Sequence, residues 1–65
     1  MRINRIKLNT ELARKDINVN KLSDISGISR GTISAIRSGK TCSPNTAKRI
    51  AEALNVELKY LTEEA

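Results

Sequence analysis

A helix-start signal recurs along this chain and limits what the chain can fold into. An apolar residue is followed by a capping residue, and another apolar residue stands four places beyond the cap. This is the hydrophobic staple, in which N′ packs on N4 and sets the angle of chain entry. Ile17-Asn18 with Leu22 fits it, as do Ile28-Ser29 with Ile33 and Cys42-Ser43 with Ala47. The third is strengthened by Pro44 at the first helical position, where a missing N–H costs nothing. Val56-Glu57 with Leu61 is weaker, because Glu is not a preferred cap. Gly27, Gly39 and Asn55 each close an apolar-periodic segment, and Gly and Asn tolerate the left-handed C′ position. Four starts after an initial helical stretch predict five short helices.

The apolar spacing agrees. Ala47, Ile50, Ala51 and Leu54 lie at i, i+3, i+4 and i+7 in the fourth helix. The first helix is less regular: Leu8, Leu12 and Ala13, with Ile3 or Ile6 behind them, form a face ending near Asp16. No period-two run survives as a strand. The chain is therefore read as all-α, a single domain over 1–65 without a linker, a repeat or a low-complexity segment. A domain of this size buries roughly 60% of its unfolded surface. Its core must be aliphatic, drawn from eight Ile, six Leu and two Val, with Tyr60 the only aromatic residue.

Composition excludes several classes. One cysteine makes no internal disulfide, and without His there is no zinc set, so no metal or cofactor is expected. The longest apolar run is two residues, too short for a membrane span or a secretory h-region. The expectation is a soluble, cytoplasmic protein. An enzyme fails on inventory, with no His, no converging carboxylates and no Gly-rich phosphate loop. Charge is more informative: 12 Lys and Arg against 7 Asp and Glu give +5. Residues 1–51 hold 11 basic and 3 acidic side chains, net +8, whereas 52–65 hold 1 and 4, net −3. A basic body with an acidic end fits a polyanion approaching from one side.

The second helix, 19–26, and the third, 30–38, are separated only by Gly27, Ile28 and Ser29. So short a turn holds two helices at a steep angle, with Leu22, Ile25, Ile33 and Ile36 facing inward. This is the helix-turn-helix arrangement, whose second helix enters the major groove. The third helix offers Arg30, Gly31, Ser34, Ala35, Arg37 and Ser38 on its outer face, small or basic and never acidic. Arg30 stands in the first turn, where the helix dipole disfavours a cation. A groove about 12 Å wide suits small residues beside a few donors.

The stretch "LSDISGISRGTISAIRSGKTCSPNTAKRIAEALNVELKYL", residues 22–61, resembles the lambda-repressor and Cro-like (Xre-type) helix-turn-helix family of bacterial and phage regulators. The matching elements are Leu22, Gly27-Ile28-Ser29, Thr32-Ile33-Ser34 with Ile36, Ser38-Gly39-Lys40, Pro44 and Ile50-Ala51-x-Ala53-Leu54. The resemblance implies a compact five-helix domain. It places the base-reading positions on Arg30, Gly31, Thr32 and Ser34. The phosphate positions fall on Asn18 and Asn20, on Arg37, Lys40 and Thr41, and on Asn45, since helix starts suit anions. Arg30 would reach guanine O6 and N7, and Gly31 would let the backbone lie close to the duplex. Three departures stand out. Val19 occupies a place often held by Gln, Arg37 one often held by an acidic residue, and Ala35 adds no donor.

Some residues carry two readings. Arg37 fits a phosphate contact and equally a last-turn cation; Thr32 fits a base contact and equally a local cap. Cys42 is read as an apolar staple residue ahead of a redox sensor. Arg2, Arg5 and Lys7 are read as a frayed, solvated terminus ahead of an arm touching DNA. Leu61 goes to the core, while Leu58 and Tyr60, the latter exposed by the period, are assigned to a dimer seam. The expected function is a sequence-specific regulator, of phage or mobile-element type, on double-stranded DNA with an inverted-repeat operator. Pairing would be a weak or DNA-induced homodimer, since no room remains for a separate oligomerisation domain. The competing reading is a protein-binding module of the same fold, an antirepressor or antitoxin acting on a partner regulator.

Overall fold

The computed structural model describes residues 1–62; Glu63 and Glu64 of the acidic end lie outside the described residues. Five helices follow in order: α1 (Arg5–Arg14), α2 (Val19–Ser26), α3 (Arg30–Arg37), α4 (Pro44–Leu54) and α5 (Leu58–Thr62). No strand occurs among the described residues. The three strong starts all form their caps. Asn18 Oδ1 accepts from the Lys21 amide at 2.9 Å, Ser29 Oγ from the Thr32 amide at 3.3 Å, and Ser43 Oγ from the Thr46 amide at 3.2 Å. Each such cap contributes about 1 kcal/mol. α1 has a cap of its own in Asn4, whose Oδ1 accepts from the Ile6 and Lys7 amides. Gly27 (φ 74°) and Asn55 (φ 56°) take the left-handed conformation that ends α2 and α4.

α4 is buried along Ala47, Ile50, Ala51 and Leu54 and packs on α2 and α5, while α1 packs on α3 and α5. The staple pair Ile28 and Ile33 is buried on both sides of the short turn. A fully buried Leu or Ile contributes about 1.5–3 kcal/mol, so this aliphatic set outweighs the caps in holding the helices together.

The inward face of α2 differs from the expected one. Ile25 is 45% exposed. The inward set is Val19, Leu22, Ser23 and Ser26, which also satisfies i, i+3, i+4, i+7. Two serines are admitted because their hydroxyls are satisfied on the spot: Ser23 Oγ donates to the Ile28 carbonyl and Ser26 Oγ to the Leu22 carbonyl, both at 2.6 Å. In α1, Leu8 and Leu12 are buried but Ala13 is exposed. Of the two isoleucines considered behind them, Ile3 is buried and Ile6 is exposed.

The N-terminal segment is not frayed. The Met1 nitrogen donates to the Cys42 carbonyl at 3.0 Å, and the Cys42 amide returns a bond to the Met1 carbonyl at 2.7 Å. The Asn4 amide donates to the Leu61 carbonyl at 2.7 Å. Between these ties Ile3 drops into the core at 1% exposure. Cys42 itself packs partly against the core, and burial pushes its thiol above the usual cysteine range.

Glu11 is a buried carboxylate on α1, 2% exposed. It is tolerated because it is surrounded by donors: Lys15 Nζ and Arg14 Nη1 each lie 3.1 Å from its oxygens, and Tyr60 Oη donates at 3.3 Å. The Lys15 hydrogen bond, above all, holds the Glu11 carboxyl below the usual carboxylate range, against the opposing pull of desolvation. Tyr60 is therefore half-buried, not exposed as the period implied. Its hydroxyl is held by Glu11, and the Lys7 ammonium lies 4.9 Å from its ring centre.

Candidate nucleic-acid interface

α3 carries its apolar residues on one side and its donors on the other. Ile33 and Ile36 are buried, while Arg30, Gly31, Thr32, Ser34, Arg37 and Ser38 are exposed. Ala35 is half-buried and contributes little to that outer face. No carboxylate lies on α3, and none lies in its first turn.

The four expected base-reading residues differ in how far the fold already uses them. Arg30, at the positive end of the helix, donates from Nη1 to Asn20 Oδ1 at 2.7 Å. The amide oxygen offsets some of the unfavourable helix field. Thr32 is engaged locally: Ser29 Oγ donates to its Oγ1 at 2.9 Å and accepts from its amide. The Ser34 hydroxyl has no hydrogen-bond partner among the described residues. At Gly31 a Cβ would meet nothing within 4 Å, so neither packing nor backbone conformation demands glycine there.

The expected phosphate residues also fall into groups. Asn18 Oδ1 is occupied by its cap, leaving its NH₂ as donor. Asn20 is joined to Arg30, so these two are brought into one cluster. Arg37 donates from Nε to Asn9 Oδ1 at 2.8 Å, tying the last turn of α3 to α1 with the remaining fork in solvent. Lys40 closes α3 through its amide, which donates to the Ala35 carbonyl at 3.1 Å, and its side chain is exposed. Thr41 and Asn45, in the connection and the first turn of α4, are exposed as well. No hydrogen bond links Lys40, Thr41 or Asn45 to Arg30 among the described residues. Asn9 was not anticipated; it lies on the polar side of α1, and nothing local marks it.

Residues 8–61, most of the chain, match the family described as helix-turn-helix. The chain belongs to the lambda-repressor/Cro-like helix-turn-helix family. No curated protein and no solved structure gives a significant match. This helix-turn-helix family is one of DNA-binding regulators and not of enzymes, so the chain is a DNA-binding regulator in the general sense. No described helix is long and apolar enough to cross a membrane.

Against the lambda-repressor/Cro-like pattern, the departures acquire physical content. Val19 is half-buried against the core, so the usual Gln place has become a packing position. The amide that reaches the third helix comes from the next residue, Asn20. Where many helix-turn-helix members have an acidic residue, Arg37 makes a neutral bond to Asn9 in place of an ion pair. Leu58 and Tyr60, the residues expected at a dimer seam, are both half-buried against the domain's own core.

Proposed function

We propose that this regulator is a sequence-specific repressor that reads an inverted-repeat operator as a homodimer, with α3 in the major groove. The observation that carries the reading is the outer face of α3. Arg30, Gly31 and Ser34 are exposed there without a carboxylate, and Ser34 and Gly31 have no task in the fold. Arg30 addresses guanine with its fork, Ser34 offers a hydroxyl, and Gly31 admits the helix backbone close to the duplex. Thr32 presents its methyl group and the O–H of a hydroxyl that accepts from Ser29. Asn18, Asn20, Arg37, Lys40, Thr41 and Asn45 face the sugar-phosphate backbone and fix register. Leu58 and Tyr60 form the seam, and the pairing is weak because both already give part of their surface to the domain core. A two-fold pair places two reading helices on two half-sites. The proposal extends to a phage or mobile-element setting for this regulator.

The rival reading, a module that binds a partner regulator, is favoured by one observation, the 45% exposure of Ile25 on α2. Binding to a randomised duplex pool, selected over several rounds and repeated across a salt series, separates the two. Convergence on an inverted repeat, with Arg30→Ala relaxing one base position, supports the repressor. A DNA contact weakens with salt by a log–log slope of about −0.9 per phosphate. Unselective, salt-insensitive binding that ignores Arg30 rejects the repressor and favours the partner module.

A further inference from the structure

Two clefts on this domain differ in charge. Glu11, Glu57, Arg14, Lys15 and Tyr60 line one of them, so two carboxylates stand against two cations, both of which are paired with Glu11. The other is lined by Arg2, Arg5, Ser38, Gly39 and Thr62, among residues that include no carboxylate. Arg2 and Arg5 are exposed, and neither guanidinium has a hydrogen-bond or ion-pair partner among the described residues.

Unpaired surface arginines are ordinary where the chain is loose, but this segment is anchored on both sides of Arg2. Met1 is bonded to Cys42, Ile3 is buried, and Asn4 is bonded to Leu61. Arg5 opens α1, whose first turn contains no acidic residue, so two guanidinium groups add to the positive end of a ten-residue helix. Among the described residues nothing neutralises the cleft, and the backbone that carries its arginines is anchored. Its far wall, Ser38-Gly39, is the end of α3.

We propose that Arg2 and Arg5 hold a backbone phosphate of the operator duplex at the far end of the reading helix. The inference rests on the repressor reading above. With Arg30 in the groove, the eight residues of α3 carry the chain about 12 Å, at 1.5 Å per residue, to Ser38. There Lys40 and Thr41 continue the same phosphate-facing surface. Guanidinium forks match phosphate oxygens in pairs, which suits them to a phosphodiester more than to a single point charge.

The test is fluorescence-anisotropy titration of the selected operator and a scrambled duplex across a salt series, with the full chain and an Arg2→Gln/Arg5→Gln double variant. The expected result is a salt slope flatter by about 0.9, the loss of one phosphate contact, with affinity falling alike for both duplexes and base preference unchanged. An Arg2→Lys/Arg5→Lys variant should retain most of the slope. An unchanged slope, or a change in which base is preferred, overturns the proposal while leaving the repressor reading standing. Wild-type protein that binds no duplex removes both. Phenylglyoxal footprinting of the wild-type complex checks the site without any variant: Arg2 and Arg5 should be protected by duplex, and unprotected arginines reject the contact.

Discussion

Arg30 on α3 and Asn20 on α2 are joined across the helix-turn-helix by a 2.7 Å bond from Nη1 to Oδ1. A guanidinium has five donors, so one is used for orientation and the others remain for a base. Holding a long side chain in one rotamer before binding lowers the ordering cost at the interface. In the proposed repressor reading, Asn20 would orient Arg30 in addition to meeting a phosphate.

That role is separable from a phosphate contact. Asn20→Ala should lower discrimination at the base read by Arg30 about 2- to 10-fold, the equivalent of one rotamer-rich side chain left free. Competition binding with single-base operator variants measures it. A loss of equal size on every duplex would instead assign Asn20 to the backbone alone.

Gly31 separates folding from binding. A methyl group there meets open space, and replacing a helical glycine by alanine stabilises by roughly 0.5–1 kcal/mol. Gly31→Ala should raise the thermal midpoint and, if α3 lies in the groove as proposed, weaken operator binding through the added Cβ. Unchanged affinity would mean the backbone of α3 does not approach the bases closely.

Acid should unfasten α1 from α5 through Glu11. Its folded carboxyl lies below the ordinary value of 4.5, so the folded state binds fewer protons than the unfolded one just below that pH. Stability is therefore complete above about pH 4.5 and declines as pH falls through the folded value. Urea midpoints taken from neutral pH to about pH 3 should fall more steeply for wild type than for Glu11→Gln, which should also be the less stable at neutral pH. Parallel curves would exclude Glu11 as the source.

The docked N-terminal segment predicts a core penalty where a loose tail would give none. Ile3→Ala should destabilise by about 2–4 kcal/mol, the range for emptying a fully buried isoleucine site, whereas Ile6→Ala, at an exposed position, should change stability by less than about 0.5 kcal/mol. Denaturant unfolding of the two variants decides it. Equal and small effects would mean that the segment before α1 is not docked.

The parts of the fold that depend on near neighbours were legible in the sequence. Asn18, Ser29 and Ser43 cap the helices assigned to them, and Gly27 and Asn55 end them, because a cap is settled within four residues. The face of α2 was not, since Ile25 and the pair Ser23 and Ser26 compete for the same side. The serines face inward with two carbonyls to bond, one of them beyond the helix end. Glu11 was missed as a buried charge, and Tyr60 as its partner, because the two lie at opposite ends of the chain and no local pattern links them. In the interface, the donors could be enumerated from the sequence but not their prior engagements. The bonds of Arg30 to Asn20 and Arg37 to Asn9 exist only once separate helices are packed.

The bond from Asn4 to Leu61 has a consequence for synthesis on the ribosome. Synthesis proceeds from the N-terminal end, so α2 and α3 are complete in sequence while the carbonyl that receives Asn4 has yet to be made. Until α5 follows, Ile3 lacks its last cover and the segment bearing Arg2 is tied only at Cys42. The last tie of the cleft beside α3 therefore waits for the end of α5, long after α3 itself has been made.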